Sequence, residues 1–267
     1  MSNKMKMDKE TSKKLEDFHN NAAKVADEIL FRTFPDKIIE LQELIDSTSS
    51  PSSIFHPSHA IKFTDATVYP PPTSLSTAEG PETKKRKLNG DSPSSGNNGS
   101  AAPGSGITLR NDASRALYPN LIVANQHMKQ VHETVKKECE QLADLCDKVK
   151  LWVNLSMPKI EDGDNFGVQI QEEVLNELHR SQESAYNLRD ASRQHVLQRA
   201  KICSKILKYP HLEDYTMSLI EHDEKQLYTA RQNLFDLRNV YAILTDILHK
   251  NINKIRTPKG NNSFGLY

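Results

Sequence analysis

The chain has 267 residues, with 35 Lys+Arg against 35 Asp+Glu and hence no net charge, and 36% of its residues are hydrophobic. Because globular chains average roughly 45–50% on a count that also includes glycine, we expect no single thick core through the whole chain. Balanced charge argues against a globally basic nucleic-acid binder. A membrane span needs roughly 18 consecutive apolar residues, and no run approaches that length, so we expect no membrane partner. Three cysteines without a CxxC pair and an N-terminus without an apolar signal region predict a soluble intracellular protein.

The first helix is predicted within residues 1–46. Proline is expected to kink this helix at Pro35, or to end it at the preceding residue. Apolar residues recur at steps of three and four on both sides of that proline: Leu15, Phe18, Ala22, Val25, Ile29, then Ile38, Leu41 and Ile45.

Residues 47–119 predict a long disordered loop. Positions 47–118 hold 8 of the 13 prolines and 6 of the 10 glycines, a composition that buries too little apolar surface to offset the entropy of ordering. The loop carries four consecutive basic residues: Lys84, Lys85, Arg86 and Lys87. They indicate a nuclear-import signal, although a merely solvated charge run is the alternative. We therefore expect an import receptor as partner and a nuclear location with some protein in the cytoplasm. DNA binding is not expected, because so small a patch neutralises few phosphates.

Residues 120–256 predict three more helices, separated by breakers at 158–167 and at Pro210. Each segment has helical periodicity, and the last has a clear heptad pattern. The stripe of 120–157 is Met128, Val131, Val135, Leu142, Leu145, Val149 and Trp152. The stripe of 168–209 is Val174, Leu178, Ala185, Leu188, Val196, Ala200, Cys203 and Leu207, with a weaker middle. The stripe of 213–256 is Leu227, Ala230, Leu234, Leu237, Tyr241, Leu244, Leu248 and Ile255.

The lengths of these helices predict an all-α fold, an elongated antiparallel four-helix bundle. A helix of about 40 residues spans about 60 Å at 1.5 Å per residue, which is too long to wrap a compact core. A second apolar strip on the last helix is formed by Ile220, Val240, Ile243 and Ile247. It indicates either packing against another subunit or only a wide core stripe.

Motifs for catalysis are missing from the sequence: it has no GxSxG, GxxxxGK[ST], GxGxxG or HExxH. His127, His132, Cys139 and Cys146 share one helix, but spacings of 5, 7 and 7 do not converge on one metal ion. We therefore predict a protein that is not an enzyme and needs no cofactor or metal.

The connection 158–167 is the sharpest local anomaly. It is longer than most helix–helix connections of bundles, it is acidic, and it carries two large apolar residues. Exposed loops on rigid scaffolds often carry function. A calcium site on Glu161, Asp162 and Asp164 is an alternative, but the EF-hand pattern is not met. The candidate residues are Lys159, Ile160, Glu161, Asp162, Gly163, Asp164, Asn165, Phe166 and Gly167.

Residues 257–267 predict a short tail after the last helix, with Pro258 as a stop signal. An ordinary frayed terminus is one interpretation. The apolar end of an otherwise polar tail favours docking on a partner. The candidate docking residues are Phe264, Gly265, Leu266 and Tyr267.

Several segments together resemble one family. These are Lys159-Ile-Glu-Asp-Gly-Asp-Asn-Phe-Gly-Val-Gln-Ile-Gln-Glu-Glu173, Lys208-Tyr-Pro-His-Leu-Glu-Asp-Tyr215, Leu237-Arg-Asn-Val-Tyr-Ala242 and Lys250-Asn-Ile-Asn-Lys254. They resemble the activation loop, the next connection and the last helix of the 11S (REG-type) proteasome activators. Arg199-Ala-Lys201 and the basic run resemble the gamma type. Two positions depart from the family pattern, with Lys159 in place of Arg and Asp164 in place of Asn.

The resemblance, which covers residues 5–46 and 120–267, implies an ATP-independent, non-catalytic activator of the proteasome core particle. Members of the family form heptameric rings that dock through C-terminal tails on the end-ring alpha subunits. Their activation loops open the gate and so stimulate peptide hydrolysis. A nuclear coiled-coil scaffold or adaptor without effect on proteolysis is the rival interpretation.

Overall fold

The computed structural model describes residues 7–71, 120–159 and 165–259. Its helices are α1 Lys9–Glu28, a π-helical segment Ile29–Thr33, α2 Phe34–Ser47, α3 His59–Phe63, α4 Gln126–Ser156, α5 Phe166–Lys208 and α6 Glu213–Arg256. Extended pairing within these ranges is limited to one antiparallel bridge between Tyr69 and Leu121. None of the helices in these ranges is long and apolar enough to cross a membrane.

The helices form a bundle of four long rods, in which α1, the π segment and α2 make one continuous rod. In this bundle α4 lies against α1 and α5, and α6 lies against α2, α4 and α5. The connections from α4 to α5 and from α5 to α6 are short relative to the helices that they join, so these neighbours run antiparallel. The predicted all-α bundle is thereby confirmed.

The apolar stripes predicted for α4 and α6 form the centre of the core. Every residue of the two stripes is buried. Tyr241 lies at their middle with its ring fully buried, 5.4 Å from the ring of Phe34 in an edge-to-face arrangement. Helical periodicity was therefore sufficient to find the core face of these two helices.

The stripes predicted for α5 and α1 are wrong in part. On α5, Val196 is 62% exposed and Ala200 is also exposed, whereas Ser192, His195 and Arg199 are buried in their place. The helix turns this polar face inward because Arg199 pairs with the buried carboxylate of Asp223 on α6, at 3.2 Å. On α1, the predicted core residues Leu15 and Phe18 are 44% and 49% exposed.

The second apolar strip of α6 has mixed surroundings. Val240 and Ile247 are partly buried and pack against the core, whereas Ile243 is 49% exposed. Ile220 is half-buried. Most of the strip therefore widens the core stripe, and Ile243 alone presents a large apolar surface to the outside of the chain.

The first rod passes through Pro35 with a change of helical register. The backbone N–H of Phe34 donates to the carbonyl of Ile29, five residues back. In the same register the next residue would donate to Leu30, but Pro35 has no N–H. The ring of His249 on α6 fills this place, because its Nε2 lies 2.8 Å from the Leu30 carbonyl oxygen. The proline is therefore accommodated by a π-helical segment and by one side chain from another helix.

Residues 48–71, which composition places in the long loop, pack on the bundle. Phe55 is fully buried and Ala60 of α3 is 4% exposed. The Thr64 hydroxyl donates to the Asp223 carboxylate at 3.1 Å. The expected loop 47–119 is therefore too long at its start, because one buried aromatic residue and one hydrogen bond anchor residues 48–71 to the bundle. The basic run Lys84–Lys87 lies outside the described residues.

Candidate functional site

The candidate site is the end of the bundle where α4 ends, α5 begins and α6 ends. The loop 158–167 joins α4 to α5 there, and the tail 257–267 follows α6 at the same end. Of the predicted loop residues the structure describes Lys159, Asn165, Phe166 and Gly167. The predicted residues outside the described ranges are Ile160, Glu161, Asp162, Gly163, Asp164, Phe264, Gly265, Leu266 and Tyr267.

One buried side chain ties the three helix ends together. Gln171, in the second turn of α5, is fully buried. Its Nε2 donates to the carbonyl of Ile255 on α6 at 2.8 Å and to the carbonyl of Ser156 on α4 at 3.3 Å. These carbonyls belong to last helical turns, which lack intrahelical partners. Gln171 therefore fixes the two ends of the loop relative to the base of the tail.

The base of the loop and the base of the tail also touch directly. A Cβ atom built on Gly167 would lie 2.1 Å from the Pro258 carbonyl oxygen and 2.5 Å from the Pro258 Cα. Both residues are buried. No other residue type fits here without moving backbone, because the neighbouring atoms are main-chain atoms. The glycine is thus required by a close approach between α5 and the chain that leads into the tail.

Polar contacts add to this junction. Lys259 Nζ lies 3.4 Å from the Lys159 carbonyl oxygen, which joins the last described residue of the tail to a residue at the start of the loop. Arg256 at the end of α6 pairs with Asp27 of α1 at 2.7 Å, and its guanidinium lies 5.7 Å from the Phe31 ring centroid. These pairs are partly exposed, so they position the helix ends more than they stabilise them.

The thiols on α4 are not prepared for nucleophilic chemistry. Burial raises the pKa of Cys139 and of Cys146 to about 12, so neither is a thiolate near neutral pH. The histidines of the same helix face different neighbours. His127 stacks on the Phe63 ring, whereas His132 lies against His195 of α5.

Sequence reasoning located the loop and the tail but missed what connects them. Gln171 was part of a resembling segment without a role, and Gly167 was taken only as a loop residue. A glycine in the first turn of a long helix is the one signal that could have indicated a close backbone approach. Its partner, Pro258, is 91 positions away in the sequence and could not have been named.

Comparisons with known proteins agree with this architecture. The family profile "Proteasome activator PA28, N-terminal" matches residues 9–54, and "Proteasome activator PA28, C-terminal" matches residues 121–265. The human protein named "Proteasome activator complex subunit 3" is 34% identical over 272 residues, with full coverage of both chains. A Dictyostelium discoideum protein named "Proteasome activator 28" is 34% identical over 148 residues, which is 55% of this chain and 66% of that one.

Solved structures share the fold. The crystal structure of the 11S subunit of the Plasmodium falciparum proteasome, PA28, has a TM-score of 0.68 at 28% identity, covering 97% of this chain and 99% of that chain. The mutated P26 activator in complex with an archaeal 20S proteasome has a TM-score of 0.58 at 10% identity, covering 96% and 99%, which shows the fold alone. The relatives named subunit 3 confirm the resemblance to the gamma type. The chain belongs to the PA28 family of proteasome activators.

Proposed function

We propose that this chain is an ATP-independent, non-catalytic activator of the proteasome core particle. The observation that carries the proposal is the junction of Gly167, Gln171 and Pro258, which holds the bases of the loop and the tail together. A protein that docks with one segment and acts with the other needs both on one face. A scaffold without effect on proteolysis has no need for such a junction.

The proposed mechanism divides two roles between the two segments. The tail residues Phe264–Tyr267 dock on the end-ring alpha subunits of the core particle, with apolar side chains and a terminal carboxylate as recognition elements. The loop then contacts the gate and stabilises its open arrangement. A ligand shifts such an equilibrium only as far as its affinities for the two states differ.

The proposal includes a closed ring, by family membership a heptamer. A heptameric ring is built from head-to-tail contacts that close on themselves. Large apolar side chains on the outside of the single chain are candidates for these contacts, and they include Phe18, Val196, Tyr228 and Ile243. Several tails on one ring raise avidity by about 10²–10⁴ when they engage together. Native mass spectrometry showing only monomers or dimers at micromolar concentration would remove this part of the proposal.

Two variants separate docking from gating. Deleting Phe264–Tyr267 is expected to abolish co-sedimentation with core particle and stimulation of peptide hydrolysis together. Replacing Asp164 by Tyr, which puts a large ring in place of a small carboxylate, is expected to abolish stimulation while assembly and co-sedimentation persist. Normal stimulation by Asp164→Tyr would exclude the loop as the gate-opening element, and co-sedimentation of the tail-deleted ring would place docking elsewhere.

We also propose that Lys84–Lys87 directs nuclear import through an import receptor. Replacing all four residues by Ala is expected to shift a tagged, assembled protein from the nucleus to the cytoplasm. A matched control replaces Lys13, Lys14, Lys24 and Lys62, four basic residues outside the run, and is expected to leave the distribution unchanged. Nuclear accumulation of the quadruple-Ala run variant at the wild-type level would contradict the proposal.

A further inference from the structure

Three histidine rings from three different helices form a column inside the bundle, towards the end opposite to the loop and the tail. The His132 and His195 centroids are 4.8 Å apart, and those of His195 and His222 are 4.9 Å apart. These residues belong to α4, α5 and α6 respectively. Three imidazoles in contact, without an aromatic core residue between them, are not explained by apolar packing alone.

Two ring nitrogens of the column are buried without a hydrogen-bond partner among the described residues. They are Nδ1 of His195 and Nε2 of His132, on side chains that are 4% and 8% exposed. A buried polar atom without a partner opposes folding. A positively charged ligand that accepts the lone pair of such a nitrogen would remove this penalty.

A carboxylate completes the cluster. Asp223 is fully buried beside His222. Its Oδ2 accepts hydrogen bonds from Thr64 at 3.1 Å, from Asn125 at 2.9 Å and from Arg199 at 3.2 Å. Among the described residues, its Oδ1 has only the shared contact with Arg199 Nε, at 3.3 Å. One oxygen is therefore held by three donors while the other keeps a lone pair for a further partner.

We propose that His195, His222 and Asp223 bind a divalent transition-metal ion of the zinc class, with His132 as the neighbouring ring that can supply a fourth ligand. One ligand atom from each of the first three residues lies within 4.8 Å of the others. Imidazole nitrogen and carboxylate oxygen are the donors that Zn²⁺ uses, at about 2.0–2.2 Å. This site is independent of the proteasome-directed function.

Binding requires a small rearrangement. The His195 and His222 rings are nearly parallel, at 2°, and the lone pairs of parallel rings do not converge on one point. The Nε2 of His222 lies 3.4 Å from the His195 carbonyl oxygen. Because His222 is only half-buried, its ring can leave this contact and rotate until a nitrogen lone pair faces the same point as the lone pair of Asp223 Oδ1. A tetrahedral ion with such bond lengths holds its ligand atoms about 3.4 Å apart. The distances between the three ligand atoms, which are now 4.8 Å or less, must therefore shorten by about 1.4 Å at most.

A cavity next to the cluster provides an access path. The cavity, of about 760 Å³, is lined by His132, His195, Arg199 and Cys203, so it borders two of the three rings, whereas His222 and Asp223 lie behind its lining. A metal ion bound here would cross-link α4, α5 and α6 at one level of the bundle.

The test titrates Zn²⁺ into the full-length protein after EDTA treatment and desalting, by calorimetry. We expect one equivalent per chain, with an increase in Tm. His222→Gln, at a half-buried position that tolerates the change, is expected to weaken binding by about tenfold or more. The matched control is His179→Gln, at an exposed position of α5, which is expected to leave binding unchanged.

Several results overturn the proposal: no stoichiometric binding by the wild type, wild-type affinity in His222→Gln, or equal loss in His179→Gln. A second measurement does not depend on any variant. Co²⁺ bound to the wild type is expected to give visible d–d bands of imidazole and carboxylate coordination. A sulfur charge-transfer band would assign the metal to Cys203 and would also overturn the proposal.

Discussion

Replacing Gly167 by Ala tests the junction between the loop and the tail. The new Cβ would lie 2.1 Å from the Pro258 carbonyl oxygen, about 0.9 Å inside the 3.0 Å limit of real contacts. Overpacking of this kind costs about 1–3 kcal/mol in stability. We expect a cost near the upper value, because the clashing atoms belong to the Pro258 main chain, which moves less easily than a side chain. Alanine regains about 0.5–1 kcal/mol of helix propensity. The net expectation is a loss of about 2 kcal/mol, or about 4–8 °C in Tm for a chain of this size.

The assay compares thermal unfolding and stimulation of peptide hydrolysis in Gly167→Ala and in a control. The control is Gln169→Ala, an exposed position in the same turn of α5, which is expected to match the wild type in both measurements. Because the clash is relieved by moving Pro258 away from α5, the tail base shifts relative to the loop, and Gly167→Ala is expected to stimulate less. An unchanged Tm together with wild-type stimulation would refute the reasoning.

Three further predictions concern the core. His249→Leu leaves the buried Leu30 carbonyl without its donor and is expected to cost about 1–3 kcal/mol in urea unfolding; no loss would contradict the assigned bond. Tyr241→Phe is expected to be neutral or stabilising, by up to about 1 kcal/mol, because its hydroxyl is buried without a partner among the described residues; a clear destabilisation would reveal a hidden partner. Cys139 and Cys146, whose pKa burial raises to about 12, are expected to resist maleimide at pH 7 until the chain unfolds, and fast labelling of the native protein would contradict their burial.

The sequence was sufficient for the long helices because their core faces are apolar and regular. The stripes of α4 and α6 follow steps of three and four, and this spacing fixes which side packs inward. The same reasoning held for Val174, Leu178 and Ala185 in the first half of α5 but was wrong in its second half, where Val196 is exposed and His195 and Arg199 are buried. Hydrophobicity could not identify that face, because its burial depends on Asp223 of α6, a partner that only the folded chain supplies.

The candidate site was predictable as two segments but not as one structure. Loop length, acidity and resemblance located 158–167, and an apolar end located the tail. Their connection depends on the close approach of Gly167 to Pro258 and on two carbonyls held by Gln171. Such contacts join positions distant in sequence and leave no periodic pattern. The first anchored part of the expected loop was missed for a similar reason, since its buried apolar residues, Phe55 and Ala60, are isolated in a stretch rich in Ser, Pro and His.

The central claim is tested most directly by adding the purified chain to latent core proteasome with a fluorogenic peptide, in buffer without nucleotide. The account predicts a saturable increase in the rate of peptide hydrolysis with increasing protein, and none when the protein lacks Phe264–Tyr267. A rate that stays at the level of the core particle alone, at concentrations where the ring is assembled, would contradict the account and favour a scaffold without effect on proteolysis.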